Sequence, residues 1–231
     1  MTYRPSAANA RSILDTPTPA WLTKKPELTE YWERCVVSAS KYGRLEDHGR
    51  GQVIDNAAGD FFLLVRGCIV VTSDPLEREA PPLFVSALQR GDIITPTICQ
   101  LVPVTLTVRS PSTLLRVPKS SLVAFASEIG LSETLFLAVN IETTKLYAAA
   151  AQSVQLRDQD RILRVIESLA HHSDAVITAV GNEVEVSKEE IRTLAGVHKR
   201  SATRAFHNLE ESGVIAFNGY KRVYYKGSLT Q

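Results

Sequence analysis

The stretch from Ser187 to Ile215 constrains the fold of this chain more than any other, because it carries the start and stop patterns of two short helices. Ser187 precedes Glu190 by three residues, which is the spacing of a capping box at a helix N-terminus. Apolar residues then follow at the spacing of one helical face. Gly196 predicts a turn after this first helix, since glycine takes a positive φ without steric strain.

The second helix of this stretch is predicted from about Lys199 to Ser212, where Gly213 would end it. Its apolar face is formed by Ala202, Ala205, Phe206 and Leu209. Its opposite face is basic in the N-terminal half and acidic only at the end. Two short helices joined by a glycine turn form a helix-turn-helix, whose second helix directs its N-terminal residues at base edges and phosphates. This charge order favours DNA binding, and an ordinary αα-hairpin with a solvated basic face is the alternative.

A β-hairpin is predicted directly after these two helices. Residues 214–217 read as a short strand, and Asn218 with Gly219 is a strong two-residue hairpin turn. Residues 220–226 form the return strand, with Lys221 and Arg222 close to the turn. The hairpin makes the predicted unit a winged helix-turn-helix.

Charge is distributed unevenly along the chain. Residues 187–231 hold eight basic and four acidic residues, a net charge of +4. The rest of the chain holds 18 basic and 21 acidic residues, a net charge of −3, so the overall charge of +1 conceals a basic C-terminal segment. Such an asymmetry indicates a nucleic-acid partner.

The middle of the chain has a different pattern. Residues 1–25 read as a loosely held arm and residues 26–42 as a helix. From Arg44 to Pro118, short apolar runs alternate with glycines, which predicts several short strands in a barrel or sandwich. Residues 104–108 and 112–118 are two of these separate runs.

Helical patterns resume after residue 118. We expect a short helix at 120–129, a long one from about Glu133 to Ser153, and an amphipathic helix at 157–170, followed by a small hairpin at 175–186. The long helix has an apolar seam with spacings of three and four, formed by Leu135, Val139, Leu146 and Ala149. This seam predicts a parallel coiled-coil homodimer. Packing of the same helix on the β-domain within one chain is the alternative.

Several classes of protein and site are not expected. The chain has no apolar run long enough to span a membrane and no signal-peptide pattern, so we expect a cytoplasmic protein. Its cysteines, Cys35, Cys68 and Cys99, are widely spaced without a metal motif, and we expect them to be buried. No nucleophile with a base at motif spacing and no phosphate-binding loop is present in the sequence, so no enzyme is predicted.

Four segments together resemble the CRP/FNR superfamily of transcription regulators. They are G-R-G-Q-V-I at 49–54, F-F-L-L-V-R-G-C-I-V-V at 61–71, L-Q-R-G-D-I-I at 88–94, and the helix pair at 191–215. The resemblance implies an α+β fold with an N-terminal β-roll (a cyclic-nucleotide-binding-like jelly roll), a long dimerisation helix and a C-terminal winged helix-turn-helix. It implies an arm and helix at 1–43, the β-roll at 44–130, the dimerisation helix at 131–156 and the DNA-binding domain at 157–231. Double-stranded DNA, a second copy of the chain and RNA polymerase are the partners it implies.

The sequence departs from this family in the sensor region. Cyclic-nucleotide-binding members carry a Gly-Glu and an Arg-Ser pair in a phosphate cassette after the G-D-x-x segment. Here the corresponding residues 95–108 hold no acidic residue and no arginine, so we expect no cAMP binding and no cofactor. The small-molecule effector is left open. Sensing of redox conditions through Cys35, Cys68 or Cys99 is an alternative.

The predicted DNA-binding residues follow from the helix pair and the hairpin. Base contacts are expected from Lys199, Arg200, Thr203 and Arg204. Contacts that position the DNA backbone are expected from Ser187, His207, Lys221 and Arg222, and His198 stands where the family commonly has a Ser N-cap. The family often has a glutamate on this face of the helix, where it reads cytosine. Basic donors at these positions favour guanine or phosphate instead. A protein-interaction module on a degenerate β-roll and winged-helix scaffold is the rival hypothesis.

Overall fold

The structure, a computed structural model, describes residues 37–55, 59–73, 82–94, 104–128, 155–172 and 174–227. The chain divides into two compact units. The first comprises Met1–Ile69 and Leu88–Lys145, and the second comprises Val70–Ala87 and Leu146–Gln231. The second unit is therefore built from two separate segments of the sequence.

A five-stranded sheet follows a short helical segment at residues 37–42 in the described part of the chain. Its strands are β1 (Arg44–His48), β2 (Phe61–Ser73), β3 (Leu83–Leu88), β4 (Ile93–Ile94) and β5 (Val104–Val117). The strand order is β1-β5-β2-β3, and β4 pairs with β2. β1 lies antiparallel to β5, with His48 opposite Ser112, and β4 lies antiparallel to β2. Strands between residues 44 and 118 are thus confirmed where the structure describes them.

β2 is buried on both faces, because its sequence is a nearly continuous apolar run rather than an alternating one. Among its first twelve residues, Arg66 alone is exposed. Gly67 has a φ of 93°, and a Cβ at this position would lie 2.6 Å from the Pro111 carbonyl oxygen. The glycine therefore permits a close backbone approach between β2 and β5 that no other residue would allow.

Two details of the predicted strands are wrong. Residues 104–108 and 112–117 form one strand, β5, instead of two. Pro111 lies within this strand, and its carbonyl oxygen faces Gly67 of β2. The run at 51–54 makes an isolated bridge, Val53 to Thr107, in place of a full strand.

A charged cluster ties β1 to the end of β5 in the first unit. The Arg116 Nε donates to the Asp60 carboxylate at 2.5 Å, and the Lys119 backbone N–H donates to the same carboxylate at 3.0 Å. Glu46 lies 3.5 Å from the Arg116 guanidinium and 2.7 Å from Arg44 Nε. Burial alone would raise the pKa of Asp60, but the hydrogen bonds from Lys119 and Arg116 hold this pKa below its usual value.

The first unit continues into a 3₁₀ turn (Lys119–Ser121) and helix α1 (Leu122–Glu128), as expected for residues 120–129. Phe125 of α1 is fully buried, and its ring centroid lies 5.5 Å from that of Phe61 at the start of β2. This aromatic pair fixes α1 on the sheet.

The second unit contains three helices and a four-stranded sheet among its described residues. The elements are α2 (Asp158–Ala170), β6 (Val176–Ile177), β7 (Asn182–Glu185), α3 (Lys188–Leu194), α4 (Lys199–Glu211), β8 (Ile215–Phe217) and β9 (Arg222–Tyr225). The sheet order is β6-β7-β9-β8, with every neighbouring pair antiparallel. Both predicted hairpins, at 175–186 and at 214–226, are confirmed with shorter strands than the sequence indicated.

The core of the second unit is a single apolar cluster. The inward faces of α2, α3 and α4 meet there with buried residues of β7, β8 and β9. Val70 of β2 and Phe84 of β3 belong to the same cluster. A segment that precedes α2 by more than 70 residues in the sequence thus completes this core.

Some predicted residues lie outside the described ranges. They are the seam residues Leu135, Val139, Leu146 and Ala149, and the cysteines Cys35 and Cys99. Cys68 is described and is fully buried, as expected for a small apolar residue. None of the helices in the described residues combines the length and apolar character that a membrane crossing requires.

Candidate nucleic-acid interface

The first helix of the predicted pair, α3, begins at the expected cap. The Ser187 hydroxyl accepts a hydrogen bond from the Glu190 backbone N–H at 3.1 Å. This bond satisfies one of the amides that every helix N-terminus leaves free. Ser187, which the sequence placed among the DNA-backbone contacts, therefore also has a structural task, and its O–H remains a donor.

The turn between α3 and α4 is held by an arginine. Gly196 has a φ of 61°, in the left-handed region, and the next residue, Val197, is buried. The Arg192 guanidinium donates to the Val197 carbonyl at 3.1 Å and also pairs with the Glu189 carboxylate. Its hydrogen bonds hold the pKa of Glu189 below the usual value, and Lys199 adds attraction. Arg192 contributes to the positive charge of the sequence, but it braces the turn instead of facing solvent freely.

The second helix, α4, buries the four apolar residues that the sequence assigned to its inner face. Its outer face exposes the side chains of His198, Lys199, Arg200, Thr203, Arg204 and His207. The first turn contains no acidic residue, and His198 at the N-cap position makes no capping hydrogen bond with its side chain. The N-terminal half of α4 therefore presents side-chain donors and free backbone amides together, a combination that attracts anions.

The N-terminus of α4 is fixed by the start of α2. Hydrogen bonds from Arg161 and Ser201 hold the pKa of Asp158 below its usual value, and attraction to His198 adds to this effect. Further along α4, the Asn208 amide donates to Gln159 at 3.2 Å. These contacts set the orientation of α4 within its unit.

The basic residues of this surface divide into free and paired groups. Five exposed basic side chains of residues 187–227 make no hydrogen bond or ion pair with another described residue, namely those of Lys199, Arg200, Arg204, Lys221 and Lys226. Arg222 pairs with Glu183 of β7 at 3.2 Å, and His207 lies 3.1 Å from Glu211. Thr203 donates its hydroxyl to the Lys199 carbonyl at 3.0 Å, so it keeps acceptor capacity. The free cations are available to an external anion.

The β8–β9 hairpin is attached to the helices by Lys188, which the sequence did not single out. The Lys188 ammonium lies 4.0 Å from the ring centroid of Phe217 and 5.7 Å from that of Phe206. It also lies 3.3 Å from the Glu210 carboxylate at the end of α4. The two rings meet edge to face at 5.4 Å. A lysine that lies against two aromatic rings and pairs with a carboxylate thus joins α3, α4 and β8.

The far strand of the hairpin is held by α2. The Tyr225 hydroxyl donates to Glu167 at 2.6 Å, and the His171 ring meets Tyr225 edge to face at 5.6 Å. Val223 of the same strand is fully buried. Arg222 therefore lies on a strand that is held by the buried side chain of Val223 and by the hydrogen bond of Tyr225, and Lys221 directly precedes this strand.

Searches for relatives by sequence find nothing. No protein-family profile matches the chain. No curated protein matches it either.

Comparison with solved structures finds clear likenesses in fold. The c-di-GMP-responsive global regulator CLP of Xanthomonas campestris matches with a TM-score of 0.66 at 16% identity, over 83% of this chain and 98% of its own. A mutant of CooA from Carboxydothermus hydrogenoformans matches with a TM-score of 0.60 at 13% identity, over 91% of this chain and 92% of its own. TTHB099 from Thermus thermophilus, a transcriptional regulator of the CRP family, matches with a TM-score of 0.57 at 18% identity, over 78% of this chain and 91% of its own.

At identities this low, a likeness defines the fold alone. The chain belongs to the α+β class, with an antiparallel sheet domain of the cyclic-nucleotide-binding-like kind. Its fold is similar to that of solved CRP/FNR regulators, which agrees with the resemblance seen in the sequence.

Proposed function

We propose that this protein is a sequence-specific DNA-binding transcription regulator of the CRP/FNR type, acting as a homodimer without cAMP. The observation that carries the proposal is the set of exposed cations on α4 and the β8–β9 hairpin whose side chains have no partner among the described residues. α3, the Gly196 turn, α4 and the hairpin form a winged helix-turn-helix in this proposal. The CRP/FNR-like fold supports the same function, because its solved examples include transcription regulators.

In this proposal α4 is the recognition helix and enters the major groove. Lys199, Arg200, Thr203 and Arg204 contact base edges, and the two arginines favour guanine, whose O6 and N7 accept a bidentate fork. Ser187, His198, His207, Lys221 and Arg222 contact the DNA backbone. Phosphate contacts of this kind position a protein on DNA without reading the sequence.

The assembly and the domain boundaries are also proposals. A helix at 131–156 joins two copies through Leu135, Val139, Leu146 and Ala149, and places the DNA-binding domains of residues 157–231 side by side. A two-fold dimer of this type reads two half-sites about one helical turn apart, ~34 Å. RNA polymerase is the further partner at a promoter.

The effector is proposed to differ from cAMP, because residues 95–108 lack the carboxylate and arginine that would hold a cyclic phosphate. Redox sensing through Cys68 has little support, since this thiol is fully buried.

The test is selection of DNA fragments by the purified full-length protein, at two salt concentrations, with and without cAMP. We expect a recurrent two-fold motif whose recovery is the same with and without cAMP. The logarithm of affinity should fall with log salt by about 0.9 per phosphate contact. A motif that requires cAMP would overturn the cAMP-independent part, and no motif under any condition would favour the protein-interaction module.

Arg204→Ala tests the recognition helix directly. Loss of a base-contacting arginine should weaken binding to the selected motif by about 1–3 kcal/mol and relax the preference at one base pair. Arg66→Ala is the matched control, because Arg66 is an exposed arginine of β2 in the first unit. Equal operator affinity for Arg204→Ala and the unchanged protein would show that α4 is not the reading helix.

A further inference from the structure

The tip of the β8–β9 hairpin carries an exposed aromatic side chain that the DNA-binding residues above leave out. Tyr220 is 94% exposed, the largest value among the large hydrophobic side chains of the described residues. An aromatic ring offers a large apolar surface for contact, and it has only two side-chain torsions to fix on binding. A ring held this far into solvent next to Lys221 and Arg222 has the chemistry of a binding contact.

The tip presents this ring from a well-fixed backbone. The Asn218 backbone N–H donates to the Arg222 carbonyl at 3.0 Å, which closes the turn. The Asn218 side-chain amide donates to the Tyr224 hydroxyl at 3.2 Å. Gly219 supplies the left-handed conformation, with a φ of 66°. A preorganised turn lowers the entropy lost when its side chains contact a partner.

The neighbouring charges indicate the kind of partner. Lys221 is exposed and has no described partner, and Arg222, two residues after Tyr220, is exposed and pairs with Glu183 of the neighbouring strand β7. Between the phosphates of a DNA strand lie deoxyribose rings, whose C–H surfaces are apolar. An aromatic ring followed along the chain by two cations therefore offers one apolar contact for a sugar and two charges for the phosphates of one strand.

We propose that Tyr220 packs its ring on the deoxyribose surface of the DNA strand whose phosphates are bound by Lys221 and Arg222. The inference rests on the proposed DNA-binding function and deepens it, because it assigns the hairpin an apolar contact in addition to charge. The contact reads no base and adds affinity at the edge of the half-site.

The experiment compares Tyr220→Ala, Tyr220→Phe and Lys221→Ala in the full-length protein on the selected DNA, with affinity measured across a salt series. Tyr220→Ala should weaken binding roughly tenfold with an unchanged salt slope, since the ring releases no counterions. Tyr220→Phe should keep most of the affinity. Lys221→Ala should lower the salt slope by about one.

Hydroxyl-radical footprinting supplies the second readout, because this reagent attacks exposed deoxyribose. The unchanged protein should protect the sugars at the edge of each half-site from cleavage, and Tyr220→Ala should leave these sugars exposed to the reagent. Arg204→Ala at saturating protein should keep them protected. Thermal unfolding of Tyr220→Ala should match that of the unchanged protein, since the ring is 94% exposed.

The outcomes separate this inference from the function on which it rests. Unchanged affinity and an unchanged footprint for Tyr220→Ala, with weakened binding by Arg204→Ala, would overturn the Tyr220 contact and leave the regulator proposal standing. A loss of salt slope in Tyr220→Ala equal to that in Lys221→Ala would also overturn it, because the ring would then act only by placing the cations. If the unchanged protein selects no DNA, both proposals fall together.

Discussion

At the scale of single residues, the candidate interface depends on which cations are already engaged within the protein. Arg222 is 56% exposed in its side chain, yet it is paired with Glu183, which is 19% exposed. A phosphate must displace this carboxylate before it can use the full charge of Arg222. Arg192 and Lys188 are also engaged, in the turn and against the aromatic rings. Net charge alone overstates the number of cations available to the proposed DNA partner.

Glu183→Gln should therefore increase DNA affinity. Removing the carboxylate frees Arg222 for a phosphate, and we expect binding about two- to fivefold tighter, with a salt slope steeper by up to about one. Asp160→Asn is the control, because it makes the same change of net charge at an exposed position of α2. An equal gain in both variants would mean that only net charge matters.

Asp60 provides a prediction for stability as a function of pH. Its pKa in the folded protein lies below the usual value of 3.8, so the unfolded chain binds the proton more tightly. The ionised carboxylate therefore stabilises the fold above about pH 4, and this contribution is lost as the pH falls through the folded-state pKa. Asp60→Asn should lower the free energy of unfolding by about 1–3 kcal/mol at about pH 7, with a smaller difference near about pH 3. Denaturant titrations at both pH values measure it, and a pH-independent difference would contradict the assignment.

At the scale of secondary-structure elements, β2 and β5 approach closely only because Gly67 lacks a side chain. Its backbone is left-handed, and the space for a Cβ is already filled by the Pro111 carbonyl and by Ser112. Gly51 has a similar φ of 84°, but a Cβ there would meet no atom within 4 Å. The two glycines separate backbone strain from steric overlap.

Gly67→Ala should destabilise the protein by about 2–4 kcal/mol, because strain and overlap with backbone atoms act together. Gly51→Ala should lower stability by about 1 kcal/mol, from the left-handed conformation alone. Chemical denaturation of the two variants provides the comparison. Equal losses would show that β2 and β5 can separate without penalty.

At the scale of the whole molecule, the second unit needs a distant part of the chain. Phe84 of β3 is 4% exposed and lies in the same apolar cluster as Ile162 and Leu209. It also lines a small cavity with Leu83, Arg161, Arg164 and Ala195. The strands that supply Val70 and Phe84 are thus part of the support for α2 and α4.

Phe84→Ala should therefore destabilise the second unit, although residue 84 is far in sequence from α2 and α4. Removing a buried phenylalanine typically lowers stability by about 3–5 kcal/mol, and amide hydrogen exchange in α2 and α4 should accelerate accordingly. Val123→Ala serves as the control, because Val123 is 78% exposed. Unchanged exchange in α2 and α4 of the Phe84 variant would refute this packing.

The sequence by itself determined the local elements of this protein. The Ser187 cap, the Gly196 turn, the Asn218-Gly219 hairpin and the apolar face of α4 depend on neighbouring residues, so short-range rules predict them. The tertiary structure decided what depends on distant residues. It paired Arg222 with Glu183, placed Lys188 against the rings of Phe206 and Phe217, set Gly67 against Pro111, and brought Phe84 into the core of α2 and α4. These contacts join side chains that only packing brings together, because periodicity and turn chemistry describe one segment at a time.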